Sequence, residues 1–231
     1  MKRILIYVNT LMLAAILTAS GAIASPTLYD WGFNVNGTFY EKYAGHVTPG
    51  YFNDSMFDWE TGLGTLTINF NPGSIGDYFF IAFLDHEFVD DNNAFFNESG
   101  AIGGTLMPGQ SWEIDEPGYV FGDIYDNFKI GMIDNGNTVP SGAEDDVSMA
   151  MGWNFGLGDN EMATIDLIVT AELPTTFFMS QYDLTSNEII YFSSTIAIHA
   201  APAAVPEPGT LILLGTGLFL MLGILKKRRC N

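Results

Sequence analysis

The chain contains a single cysteine, Cys230, one residue from its end. Nothing upstream can therefore pair into a disulfide or serve as a thiol nucleophile. The large middle region must be held by packing, with a bound metal as the other available staple. Basic residues are almost as scarce. Lys2, Arg3 and Lys226 to Arg229 sit at the two ends, so only Lys42 and Lys129 lie between Ser25 and Val205, against 26 acids and a formal charge of −24. Such a surface repels nucleic acid and anionic headgroups and attracts divalent cations or cationic partners. The three histidines, His46, His86 and His199, are far apart and lack H-x-H or H-E-x-x-H spacing, which argues against a histidine zinc site. There is no G-x-S-x-G, Walker loop or dinucleotide fingerprint. The chain therefore reads as a non-enzyme.

What is present begins with two apolar segments at the ends. Lys2 and Arg3 precede an apolar run, Ile4 to Leu17, and Ala22-Ile23-Ala24 is an A-x-A cleavage site. This pattern predicts a signal peptide over 1–24, passed to the Sec translocon and cut between Ala24 and Ser25. At the other end, Pro208 to Leu225 carries no charge. As a helix it covers ~27 Å at 1.5 Å per residue, close to the ~30 Å hydrocarbon thickness of a bilayer. Leu211 to Leu225 is thus expected to be a transmembrane helix, with Lys226, Lys227, Arg228 and Arg229 as its cytoplasmic stop. Pro206 and Pro208 lack an N–H and push their neighbours toward extended geometry. They predict an exposed, extended strip outside the membrane, a shape that a processing enzyme can grip.

Together, Pro206-Glu207-Pro208, the apolar run and the Lys226–Arg229 cluster resemble the PEP-CTERM sorting signal, whose tail is also labelled an ice-binding protein C-terminal domain. The resemblance spans 206–229. It implies an exosortase as processing partner, cleavage near Pro206, Glu207 and Pro208, and delivery to the cell surface or exopolysaccharide matrix. Ice binding itself has no support, because no regular threonine-rich repeat lays out a flat array.

Between these ends the pattern is period 2, which predicts strands. Val147, Met149, Met151, Trp153 and Phe155 alternate with Ser148, Ala150, Gly152 and Asn154. Leu66, Ile68 and Phe70 form a second such run, and Ile190, Phe192, Ser194, Ile196 and Ile198 a third. Tyr78 to Leu84 is apolar on both faces and reads as a central strand. Trp31–Glu41, Gln110–Glu116, Tyr119–Tyr125, Phe128–Ile133, Ala163–Ala171 and Thr176–Tyr182 are further candidates. Turn signals such as Asn71-Pro72-Gly73 and Met107-Pro108-Gly109 separate them. No stretch of ten or more residues holds a helical period. The expectation is all-β: a single β-sandwich or jelly-roll ectodomain over 25–199, a linker over 200–205, then the tail.

The densest run of oxygen ligands is Asp85-His86-Glu87-Phe88-Val89-Asp90-Asp91-Asn92-Asn93. Calcium takes six to eight oxygens and is plentiful outside cells. Asp85, Glu87, Asp90 and Asp91 are therefore the candidate calcium ligands, and a solvated acidic loop is the competing reading. Asn97 with Glu98 is placed to close the same site. Asp134, Asn135 and Asn137, and Glu144, Asp145 and Asp146, rank second. An alternative role is a carbohydrate-binding or glycan-hydrolysing module, resting on the paired acids and on Trp31, Trp59, Trp112 and Trp153. Trp153 falls in phase with core positions; Trp59 is flanked by acids, which makes it the candidate for exposure, although core or rim packing is the favoured reading for each tryptophan.

Overall fold

The computed structural model describes residues 26–42, 48–88, 96–118 and 121–202. Eleven strands and one short helix follow in order: β1 Pro26–Val35, β2 Thr38–Glu41, β3 Phe52–Phe57, β4 Gly64–Phe70, β5 Gly76–Phe88, β6 Glu98–Gly103, β7 Gln110–Asp115, α1 Ile124–Ile130, β8 Ser148–Leu157, β9 Glu161–Thr170, β10 Phe178–Asp183 and β11 Ile189–Ala200. They form two antiparallel sheets. The first has the order β2-β1-β5-β8-β7 and the second β3-β4-β9-β11-β10-β6. This is the all-β sandwich expected from the alternation. The chain divides after Ala200 into units Met1–Ala200 and Ala201–Asn231, and all the strands belong to the first.

The period-2 runs explain the core. Phe80, Ala82, Leu84 and Phe88 on β5 point inward with Met149, Met151 and Trp153 on β8. They meet Leu66 and Ile68 of β4, Ile165, Leu167 and Val169 of β9, and Phe192 of β11. Each fully buried Phe or Leu contributes ~1.5–3 kcal/mol, which lets a chain without disulfides hold together. The Trp153 indole N–H crosses between the sheets to donate to Ser194 Oγ at 2.8 Å, so the one polar atom of that side chain is satisfied in the interior.

Three sequence expectations are corrected. Trp31–Glu41 is not one strand but the β1–β2 hairpin, turned at Asn36 (φ 50°) and Gly37 (φ 85°). Two successive positive φ values are what a two-residue hairpin loop needs, and Asn-Gly supplies them. The described residues of Tyr119–Tyr125 and Phe128–Ile133 are not strands either; α1 takes in the end of the first range and the start of the second. Ile124 and Phe128, four residues apart, pack on Ile81, Phe83 and Ala150, the outward side of the first sheet. Gly32 makes this possible, since a Cβ there would lie 2.8 Å from Phe128 Cζ. Gly131, at φ 78°, ends the helix. Seven residues cannot sustain a helix alone, and the β1–β2 hairpin straps this one down. Asn34 Nδ2 donates to Phe128 O at 2.8 Å, the Tyr125 hydroxyl to Glu41 Oε1 at 2.8 Å, and Lys129 Nζ pairs with the same oxygen at 2.9 Å.

Candidate metal centre

The outward side of β5 changes character along its length. Ile81 and Phe83 lie under α1, and two and four residues further on the same side come Asp85 and Glu87. Asp85 pairs across to Ser148 of β8 and to Asp30 of β1. Continuing the β5–β8 register by two residues sets Asp146 opposite Glu87. Asp85, Glu87 and Asp146 accordingly offer carboxylate oxygens that all lie within 4.8 Å of one another. They border a cavity of about 400 Å³ whose other walls include Tyr29, Asp30, Pro117 and Tyr125. That volume is in the range of small-ligand sites.

No basic side chain among the described residues offsets these charges. Lys42 donates to the carbonyls of Leu28 and Tyr29 at 3.1 and 2.6 Å, and Lys129 is held by Glu41. Burial, with the Asp146 and Glu87 charges added, holds Asp85 well above the usual carboxylate range. Burial and then Asp146 push Glu87 up to about 7. Burial, Asp145 and Glu116 push Asp146 up to about 6. At an effective dielectric near 20, two like charges ~4.8 Å apart repel by roughly 3–4 kcal/mol, a large part of a domain's ~5–15 kcal/mol of stability. The cluster must hold protons or a cation. Glu87 Oε2 and Asp146 Oδ1 are buried without a hydrogen-bond partner, whereas Ser148 Oγ donates to Asp85 Oδ1 at 3.0 Å and fixes that carboxylate.

A second acidic trio, Glu113, Asp115 and Asp123, meets the same 4.8 Å limit but is differently furnished. Asn127 Nδ2 and Asp134 N donate to the two Glu113 oxygens at 2.9 and 3.2 Å. Asp115 accepts from Glu116 N at 2.9 Å, from Asp123 N at 2.6 Å and from the Thr138 hydroxyl. The Glu113 and Asp115 carboxylates thus serve as struts for the chain between β7 and β8.

Of the four candidate calcium ligands, the structure brings Asp85 and Glu87 together; Asp90 and Asp91 lie outside the described residues. Asp146 joins them from the second-ranked group. Glu98 is fully buried on β6, with Oε2 accepting from Gln181 Nε2 at 2.6 Å. Burial above all, reinforced by Glu87 and Asp146, pushes it up to about 9. Asp134, Asn135 and Asn137 are spent on backbone and turn hydrogen bonds. None of the four tryptophans is exposed. Trp59 takes the rim packing favoured from the sequence: it is half-buried, 4.9 Å from Trp31 and from Phe57, and donates to Asp54 Oδ2 at 2.8 Å. His86 is buried and His199 exposed; His46 lies outside the described residues.

The ends of the chain, including Ala22, Ala24 and Ser25, Pro206, Glu207 and Pro208, and Lys226 to Arg229, also lie outside them. Among the described residues no helix is long and apolar enough to cross a membrane; the expected span, Leu211 to Leu225, is not among them. The described part is an antiparallel β-sandwich with an acidic, cavity-bordering cluster. Residues 204–229 match the model of the PEP-CTERM protein-sorting motif. No characterised protein and no solved structure matches the chain. The motif marks an exported protein, made as a membrane-anchored precursor, with an exosortase as its processing partner.

Proposed function

We propose that this is a component of the cell surface or exopolysaccharide matrix whose ectodomain is non-catalytic and is stiffened by calcium. The observation that carries the reading is the sorting motif at 204–229. In this reading Sec export removes 1–24, and Leu211 to Leu225 holds the precursor in the membrane with Lys226 to Arg229 as the stop. The exosortase then grips the strip Pro206-Glu207-Pro208. The protein is a substrate of that step. A binding or structural ectodomain is favoured because the acids of the cavity face one another with no cation or histidine to divide acid from base, an arrangement suited to holding an ion.

The mature ends decide the export half. Mass spectrometry of surface protein should find Ser25 at the N-terminus and a C-terminus near Glu207, with the tail retained in cells lacking the exosortase. Recovery of chains retaining both Met1 and Arg229 from exosortase-positive cells would overturn it. A second reading, a carbohydrate-binding or glycan-hydrolysing module, rests on the cavity, where Tyr29 and Tyr125 stand beside carboxylates. A glycan array and a reducing-sugar assay on polysaccharides test it, and silence in both removes it.

A further inference from the structure

We propose that Asp85, Glu87 and Asp146 form a calcium-class cation site on the outward side of the first sheet, with its remaining coordination positions open to the neighbouring cavity. This rests on the calcium reading above and names the groups that carry it, Asp85 and Glu87 from the first-ranked candidates and Asp146 from the second-ranked ones.

Three independent observations converge. The first is spacing. Calcium binds oxygen at ~2.3–2.6 Å, so two oxygens on one ion sit no more than ~5 Å apart, and these three lie within 4.8 Å. The second is the orphaned oxygen of Glu87. This side chain is only 7% exposed, borders the cavity and leaves Oε2 without a donor. An unpaired buried carboxylate oxygen is costly, and native interiors rarely leave one so. Asp146 Oδ1 is in the same position. A cation between them satisfies both at once. The third is the support around the ligands. Ser148 Oγ orients Asp85 from behind, as outer-sphere partners do at metal sites, and the pairing of β5 with β8 fixes Asp85 on a sheet rather than a loop.

The donor set selects the ion. Hard carboxylate oxygens without nitrogen or sulfur suit calcium or magnesium over zinc or copper. Three carboxylates supply only part of calcium's six to eight oxygens, and the cavity leaves room for waters to complete the shell. Magnesium demands a tighter octahedron at ~2.0–2.1 Å, so calcium should bind better. The trio of Glu113, Asp115 and Asp123 provides the internal control, because its two buried members, Glu113 and Asp115, already accept from donors.

The test uses the full chain purified in detergent, stripped with chelator and titrated with calcium chloride or magnesium chloride, followed by calorimetry and thermal melting. Calcium should bind with a Kd of ~10⁻⁴–10⁻³ M and raise the melting temperature. Asp146→Asn and Glu87→Gln should each weaken binding at least ~10-fold while raising the melting temperature in chelator, since each removes a repelling charge. Glu113→Gln should leave the calcium affinity unchanged. If the unmodified chain takes no calcium, the calcium reading and the site both fall. If it binds calcium and both variants retain its affinity, the site falls and the reading stands. Loss of binding in Asp90→Asn with Asp91→Asn, but not in Asp146→Asn, would move the ion onto the segment after β5. A lower melting temperature in chelator for both single variants would make the carboxylates structural and overturn the assignment.

Discussion

The two acidic trios differ in what surrounds them far more than in what they are. Both place three carboxylates within 4.8 Å, and both lie beside strands of the first sheet. In the trio of Glu113, Asp115 and Asp123 the chain between β7 and β8 folds back and turns backbone N–H groups, Asp123's among them, an amide and a hydroxyl onto the oxygens of Glu113 and Asp115. At Asp85, Glu87 and Asp146 the strand ends where α1 no longer covers it, and buried oxygens are left without donors. A satisfied carboxylate braces the fold. An unsatisfied one, close to others of its kind, destabilises the fold until something positive arrives. Acid content alone thus says little about metal binding; the local supply of donors separates the two cases.

The contrast breaks most sharply if one acid is removed from each trio. Asp115→Ala strips the acceptor from two backbone N–H groups and a hydroxyl. At ~1–3 kcal/mol for each buried group left unpaired, the loss should be about 4 kcal/mol, a fall in melting temperature of about 10 °C for a domain of this size. Asp146→Asn in chelator should move the other way, because a like charge leaves and an amide can donate to a neighbouring carboxylate. Melting curves of the two variants in the same calcium-free buffer check this. Shifts of the same sign would show that the trios are not distinct in kind.

The bracing trio still carries a cost, and pH exposes it. Burial first, then the Asp134 and Asp123 charges, push Glu113 up to about 7 against the donations it receives from Asn127 and Asp134 N. Below the unfolded value near 4.5 the group is protonated in both states and contributes no slope. Between that value and about 7 the folded chain keeps its proton while the unfolded chain has lost it. Stability therefore falls as pH rises through this window, by on the order of 2–3 kcal/mol from this residue. With calcium saturating, so that the other trio is neutralised, the melting temperature should drop by about 5 °C or more from pH 5 to pH 8. Glu98, pushed up to about 9, adds a drop of the same sign over this range, so Glu113→Gln should reduce the drop without abolishing it; an unchanged slope in that variant would assign all of it elsewhere.

The sandwich was legible because strands that bury one face write their pairing into the chain. Val147 through Phe155 alternates, and four of its five expected inward residues, Val147, Met149, Met151 and Trp153, are buried, with Phe155 packed at the margin. Tyr78 to Leu84, apolar on both sides, is central because one side meets the other sheet and the opposite side meets α1. That helix itself was not legible. Seven residues offer a single i, i+4 pair, Ile124 and Phe128, which a strand pattern mimics. β6, reading ESGAIG, was equally hidden. Gly100 lies against the Ile114 side chain, where any Cβ would collide, so a core-facing position carries no side chain to signal burial. The Asn36-Gly37 hairpin turn is plain in the sequence, but the residues on either side of it alternate like one continuous strand. At the metal centre, Asp85 and Glu87 declared themselves by local density. Asp146 could not, because only the antiparallel register of β5 with β8 makes it their neighbour. The sorting motif was readable in full because its recognition depends on linear order rather than on folding.

The smallest effect tests whether the cavity wall and the cation cluster are independent. Tyr125 stands between the two regions, two residues after Asp123 of the bracing trio and on the wall of the other trio's cavity. Its hydroxyl donates to Glu41 on β2, and burial with that bond pushes the phenol up to about 12. Tyr125→Phe keeps the ring against Phe83 and Phe128 and removes the hydroxyl with its contacts to Glu41 and Lys129. The loss should be about 1 kcal/mol, or about 2–4 °C in melting temperature. Because the hydroxyl is committed to the hairpin and the cation is held by strand carboxylates, calcium affinity should remain within about twofold of the unmodified chain. A larger loss of affinity would mean that α1 helps to shape the site through its attachment to β2, and the cluster would then owe its geometry to the helix as well as to the sheet.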